Sequence, residues 1–116
     1  MSISKKYYVI AGYDLTKLET DKYRDWKWTD EGEQFLCNQV NGKVQLFDDP
    51  MSDGYLYLGR ILASGDEWNF NPTKFYTSDV EDALTDVTPA LYKLQELGVI
   101  HRAPLPFQII AFVEYS

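Results

Sequence analysis

The sequence predicts an α+β domain, in which an antiparallel sheet of about five or six strands carries one long helix on one face. Three observations favour this fold class. Two apolar, β-favouring runs lie at residues 7–13 and 107–115, strand-like segments recur between residues 34 and 63, and an apolar stripe of helical period spans residues 78–98. A chain of 116 residues has the size of one domain, which we expect to comprise residues 1–116.

The run at residues 107–115 predicts a strand in the interior of the sheet. Its apolar residues fall on both sides of the alternation, as expected for a strand with both faces covered: Phe107, Ile109, Ala111 and Val113 on one side, Ile110 and Phe112 on the other. The run at residues 7–13 is likewise composed mainly of apolar, β-favouring residues. We therefore expect the two runs to pair.

The segment between these runs favours a meander of strands. Residues 22–28 read as a strand with Trp26 and Trp28 on one face, and Asn41-Gly42 is the preferred turn of a two-residue hairpin. Residues 34–40 and 43–47 would form that hairpin.

Residues 48–54 are rich in Asp, Pro and Gly and predict a turn, after which residues 55–63 resume as a strand. Period-two spacing places Tyr55 and Tyr57 on one face of that strand. The alternative to the meander is a helix that begins at Asp30, with Glu33 completing a capping box. That helix would give a ferredoxin-like βαββαβ arrangement.

The long helix is predicted from a capping box at Ser78 and Glu81 and a stop at Gly98. Pro89 interrupts the pattern, and the unbroken phase of the apolar stripe favours one kinked helix over two helices. The stripe consists of Val80, Leu84, Val87, Leu91 and Leu94.

Composition excludes several classes of function. A net charge of −7 argues against direct binding of nucleic acid through phosphate neutralisation and for a protein partner with a basic surface. A single cysteine and a start without a signal-peptide pattern favour a cytoplasmic setting, and no apolar run is long enough for a membrane span. The sequence leaves the oligomeric state open.

No catalytic constellation or cofactor is expected. His101 is the only histidine and follows a helix end, where a surface histidine is electrostatically favoured. Cys37 lies among apolar residues, as inert cysteines usually do. The glycines fit no phosphate-binding spacing. We therefore do not expect an enzyme.

The aspartates at residues 48–53 suggest an alternative function, a small metal- or ligand-binding domain or an enzyme that uses this loop. A calcium loop does not fit, because Met51 and Arg60 fall where oxygen ligands are required. Magnesium held by Asp48, Asp49 and Asp53 is the remaining metal hypothesis, and a solvated turn explains the same residues.

Two groups of residues are candidates for partner binding. One is an acidic helix face formed by Asp79, Asp82 and Asp86, whose simpler explanation is a solvated surface. The other is aromatic, because nine Tyr and three Trp exceed the needs of a small core, and such residues anchor protein interfaces. Its members are Trp26, Trp28, Tyr55 and Tyr57.

Two segments carry a resemblance: Tyr-Tyr-Val-Ile-Ala-Gly-Tyr-Asp-Leu at residues 7–15 and Leu-Phe-Asp-Asp-Pro-Met-Ser-Asp-Gly-Tyr-Leu-Tyr-Leu-Gly at residues 46–59. In these segments, in its small size and in its acidity, the chain resembles small acidic proteins of phages and prophages of low-GC Gram-positive bacteria. These proteins include anti-CRISPR and other anti-defence inhibitors. The resemblance implies an inhibitor or adaptor in the host cytoplasm that blocks a nucleic-acid-handling protein, with carboxylates in place of phosphates. It assigns no residue a role.

Overall fold

The computed structural model describes residues 5–38, 44–48, 54–66 and 74–115. They form four strands and three helices, which in chain order are β1 (Lys5–Asp14), α1 (Asp21–Trp26), α2 (Asp30–Asn38), β2 (Gln45–Asp48), β3 (Leu56–Asp66), α3 (Thr77–Leu97) and β4 (Gln108–Tyr115). The α+β class and the single long helix are confirmed.

The strands form one antiparallel open sheet in the order β2-β3-β1-β4. The described residues hold four strands, so the expected five or six is not matched. With α1 and α2 taken together, the element order is the βαββαβ order of the alternative arrangement. All three helices contribute to one core on one side of the sheet, which we call the inner face.

The pairing of the two terminal strands is confirmed, since β1 and β4 run antiparallel from Lys5 opposite Tyr115 to Gly12 opposite Gln108. The interior position of residues 107–115 is wrong. β4 lies at an edge of the sheet, and β1 and β3 occupy the centre. Apolar residues occur on both sides of β4 for two different reasons: Phe112 packs among aromatic rings on one face, whereas Ile109 on the other remains 49% exposed.

The segments predicted as strands are not strands: residues 22–28 lie on α1 and the turn after it, and residues 34–38 lie on α2. Trp26 does not pair with Trp28 on a strand face. Its side chain lies in the core with Tyr23, three residues earlier on the same side of α1, and its ring meets Phe35 of α2 edge to face at 5.4 Å. The proposed Asn41-Gly42 turn lies outside the described residues.

The start of α2 is organised by Thr29 rather than by the predicted pair of Asp30 and Glu33. The Thr29 hydroxyl donates to the Trp26 carbonyl at 2.6 Å and accepts the Gly32 amide at 3.1 Å. This satisfies one of the unpaired amides of the first helical turn. Thr29 therefore connects α1 to α2.

α3 runs unbroken through Pro89, which confirms one helix, and it ends at Gly98 with φ at 74°. Its N-cap lies two residues earlier than predicted, at Tyr76 instead of Ser78, and the capping carboxylate belongs to Asp79, which accepts the Tyr76 amide at 2.7 Å. Most of the predicted stripe is buried, but Leu84 is 43% exposed. Its flank of the helix extends beyond the core.

Gly12 and Gly59 face each other where β1 and β3 cross the centre of the sheet. A Cβ at Gly12 would lie 1.9 Å from the Leu58 carbonyl oxygen, and one at Gly59 would lie 2.9 Å from both the Ala11 carbonyl oxygen and the Ile10 side chain. The backbones thus approach more closely than any side chain permits. Just beyond this pair, the register shifts between Val9 and Ile10, as in a β-bulge.

The outer face of the sheet is concave. On β3, Ser64 pairs with Tyr8 of β1, and Tyr57 pairs with Phe47 of β2. Tyr8 and Phe47 therefore lie opposite positions of β3 that are seven residues apart. An extended strand covers about 20 Å over that length, yet the ring centroids of Tyr8 and Phe47 are 5.4 Å apart. The sheet must curl toward its outer face, with the glycine pair and the bulge in the bend.

We expect Gly12→Ala to lower the free energy of unfolding more than Gly59→Ala does. The added methyl group at position 12 meets only backbone, whereas at position 59 the flexible Ile10 side chain gives part of the room. Overpacking typically costs about 1–3 kcal/mol, and Gly12→Ala should reach or exceed the upper end. Urea denaturation of both variants measures the difference, and equal small losses would contradict the close approach.

Candidate protein-binding surface

Five aromatic residues form a cluster on the outer face, which carries no described helix. β1 supplies Tyr8, β2 Phe47 and β4 Phe112, while Tyr57 lies on β3 and Tyr55 just before it. We call these five residues the outer aromatic cluster. Their strands bring together residues up to about a hundred positions apart in the chain.

Phe112 is the hub of the outer aromatic cluster. Its ring centroid lies 5.5 Å from that of Tyr8, 5.3 Å from those of Phe47 and Tyr55, and 5.1 Å from that of Tyr57. Tyr55 and Tyr57 stack nearly parallel, at 5.0 Å and 8°. Such separations lie in the attractive range for aromatic pairs, each worth about 0.5–1.5 kcal/mol beyond area burial.

Part of this cluster has a structural task. Ile10 shares the outer face with Tyr8 and is fully buried, although none of the described helices lies there. The register places Ile61 and Ile110 beside Ile10 on this face. Phe47 is also buried, whereas Tyr8, Tyr55, Tyr57 and Phe112 are partly buried. The outer face thus holds a second, smaller group of buried side chains, and four of the five rings keep part of their surface in solvent.

Acidic groups frame the cluster at both ends. Asp14 is paired with Tyr57 at one end, and Lys6 lies between Asp66 and Glu114 at the other. Directly opposed residues of antiparallel strands share a face, so three carboxylates and one ammonium group border the rings. Partial burial and then the charge of Asp14 raise the pKa of Tyr57.

An open cleft of about 360 Å³ adjoins the Tyr8 end of the cluster. It is lined by Lys6, Tyr8, Ser64, Gly65 and Asp66. The cleft extends the aromatic surface toward a mixed polar rim. An aromatic centre with a charged, polar rim is the usual composition of a protein interface.

The structure separates the four aromatic candidates. Tyr55 and Tyr57 lie together on the outer face, as their spacing predicts. Trp26 is buried in the core, and its indole N–H has no hydrogen-bond partner among the described residues. Its burial makes it unavailable to another protein. Trp28 follows α1, is 76% exposed and has the Lys27 ammonium group 5.4 Å from its ring centroid.

The three aspartates of α3 do not form a uniform solvated face. The Asp79 carboxylate caps the helix, and that of Asp86 accepts from the Arg60 guanidinium at 2.9 Å. Asp82 is exposed, and no ion pair or hydrogen bond of its side chain occurs in the described part of the chain. Two of the three carboxylates thus already have intramolecular partners, which weakens their case as phosphate mimics.

Asp48, the described member of the aspartate loop, is likewise occupied. Its carboxylate pairs with the Lys27 ammonium at 2.9 Å and accepts a hydrogen bond from the Tyr23 hydroxyl. Burial, followed by the charges of Asp48 and Glu19, strongly raises the pKa of Tyr23. Asp49 and Asp53 lie outside the described residues. Within residues 5–38, 44–48, 54–66 and 74–115, no three His, Cys, Asp or Glu residues group as metal ligands.

His101 is exposed after α3, and its backbone amide donates to the Leu18 carbonyl at 2.8 Å. This hydrogen bond between backbone atoms connects the segment after α3 to the loop after β1. Cys37 lies on α2 rather than on a strand, and its side chain is outside the described part.

No protein-family model, curated protein or solved structure matches this chain. Among the described residues, no helix has both the length and the apolar character needed to cross a membrane.

We expect the free energy of unfolding to fall as the pH rises above about 10, through Tyr23 and, to a smaller extent, Tyr57. Their folded-state pKa values lie above 10.0, the ordinary value for tyrosine, so the folded state retains phenolic protons that the unfolded state loses. This contribution is complete below that pH and declines above it. Urea denaturation between about pH 9 and 11 should show a flatter decline in Tyr23→Phe. The exposed Tyr92→Phe control should follow the wild type, and equal slopes in all three proteins would contradict the assignment.

We expect Asp86→Asn to lower the free energy of unfolding by about 0.2–1 kcal/mol, because its ion pair with Arg60 is partly exposed. Asp82→Asn is the matched control on the same helix and should leave stability within error. Thermal melts at low and high salt measure both variants. An Asp86→Asn variant as stable as the control would show that the ion pair contributes nothing.

Proposed function

We propose that this protein is a non-enzymatic protein-binding module that holds a basic partner against its outer aromatic cluster. The observation that carries the proposal is the cluster itself: aromatic rings on a face where no described helix lies, four of them only partly buried. Tyr, Trp and Phe supply large contact areas at low entropic cost, and they dominate the energies of protein interfaces.

The charges favour a basic partner. Asp14, Asp66 and Glu114 outnumber Lys6 around the cluster, and the whole chain carries a charge of −7. The Asp14 Oδ1 atom accepts hydrogen bonds from the Thr16 amide and hydroxyl, which fix the carboxylate beside Tyr57. An arginine of the partner can stack on Tyr57 and pair with the Asp14 Oδ2 atom, which combines cation–π attraction with a charge-assisted hydrogen bond. Long-range attraction would also accelerate the encounter.

Aromatic side chains on the open face of a βαββαβ sheet also suit single-stranded RNA, whose bases stack on such rings. Binding of RNA needs cations that track the backbone. Lys6 is the only described cation bordering this face, and the register places Asp66 and Glu114 on either side of it. The charge balance thus favours a protein over a nucleic acid.

The resemblance to phage anti-defence proteins supports a more specific role, as an inhibitor or adaptor in the host cytoplasm that acts on a nucleic-acid-handling protein. Such a partner carries a basic groove, and an acidic frame around aromatic anchors complements it. The alternative, a metal- or ligand-binding domain built on Asp48, has less support, because Lys27 and Tyr23 already occupy that carboxylate.

The test compares three tyrosine or tryptophan truncations with the wild type. Tyr57→Ala removes an outer ring, Trp28→Ala removes the exposed indole on the helical side, and Tyr92→Ala removes a tyrosine that is 60% exposed on α3. Proteins captured from nuclease-treated bacterial lysate are quantified by mass spectrometry, and circular dichroism confirms that each variant is folded.

We expect a specific partner to be retained by Tyr92→Ala and to bind Tyr57→Ala at least about thirtyfold more weakly, the loss typical of an interface hot spot. Its association rate should decrease as salt increases. A partner held equally by Tyr57→Ala would place the contact elsewhere, and loss with Trp28→Ala alone would place it beside α1. Tight binding of single-stranded RNA by the purified protein would contradict the proposal.

A further inference from the structure

In the part of the chain that the structure describes, strand β4 has an open edge. It pairs with β1 on one side, and no described strand lies on the other. An edge strand presents a row of unpaired amides and carbonyls, which proteins normally protect with lysine, proline, a bulge or a covering element. β4 has eight residues, contains neither Lys nor Pro, and keeps an unshifted register with β1.

The inner side of β4 is also uncovered. α3 packs over β3 and β1, so Ile109 is 49% exposed and Ala111 is exposed as well. Both side chains therefore leave apolar surface beside the edge of β4.

We propose that β4 is the contact edge of a symmetric dimer, in which the β4 strands of two copies pair antiparallel about a two-fold axis at Ala111. This register places Ile109 opposite Val113 and Ile110 opposite Phe112 of the partner copy. Gln108 falls opposite Glu114, the one charged residue of the strand, so an amide meets the carboxylate. No like charges oppose each other, and the two sheets become one sheet of eight strands.

The distribution of charge favours a second copy at this edge despite the net charge of −7. Seven acidic residues fall between positions 14 and 33, mainly on α1 and α2. The Lys27–Asp48 ion pair holds that region at β2, the opposite edge of the sheet. Pairing through β4 keeps these acidic regions of the two copies far apart, where salt screens their repulsion.

The first experiment measures the mass of the full chain in solution by analytical ultracentrifugation, from about 1 μM to about 1 mM, a range that resolves weak to moderate association. Wild type should approach the mass of two chains. Ile109→Lys should stay monomeric, because a charge at this position opposes pairing of edges. Leu97→Lys is the matched control: Leu97 is 39% exposed on α3 and lies eleven residues after Asp86, on the flank that meets β3. It should dimerise like the wild type.

The second experiment tests the register in a Cys37→Ser background. Directly opposed residues of antiparallel strands have Cα atoms about 4.5–5.5 Å apart, which suits a disulfide. Ala111→Cys should therefore give a covalent dimer under mild oxidation. In Ile109→Cys the two thiols would be more than about 13 Å apart along the strands and should not react. A monomer throughout the concentration range, a dimer unaffected by Ile109→Lys, or efficient cross-linking at position 109 but not 111 would each overturn the proposal.

Discussion

The close contact between Gly12 and Gly59 is the constraint on which the rest of the sheet depends. Where β1 meets β3, the backbones leave no room for a Cβ atom, and the sheet bends there toward its helix-free side. The bend brings Phe112 and Tyr8 from one end of the sheet to Phe47 and Tyr57 from the other. A flat sheet of the same sequence would spread these rings over about 20 Å and leave Ile10 exposed to water.

The two faces of the sheet are therefore closed by different means. Helices bury the inner face with aliphatic and aromatic side chains around Leu58 and Leu94, whereas the described part of the outer face is covered by side chains of the strands themselves, with the aromatic cluster among them. Rings that pack against each other and are still partly exposed are well suited to bind a partner. The partner would bury their apolar surface, and little conformational entropy would be lost because the packed rings are already ordered. Stability and recognition thus draw on the same side chains.

Local patterns in the sequence predicted the class of fold, α3 through Pro89 and the pairing of β1 with β4. They did not predict α1 and gave α2 only as the alternative helix that begins at Asp30. Trp26 and Trp28 mimic strand alternation, but the buried partner of Trp26 is Tyr23, which only a helix brings to the same side. They also placed β4 in the interior, because its apolar outer residues pack on distant rings rather than under a helix. Tyr55 and Tyr57 were visible from their spacing, but Tyr8, Phe47 and Phe112 join them only through the register of the folded sheet.

The order of strands also constrains how the chain can fold as it is synthesised. β1 is made first, yet both of its neighbours in the sheet come later, and β4 follows by roughly a hundred residues. At typical translation rates of about 5–20 residues per second, the central strand waits several seconds with both edges unpaired. During this interval it is a binding site for chaperones and a hazard for aggregation. The topology therefore delays completion of the sheet until β4 has been synthesised.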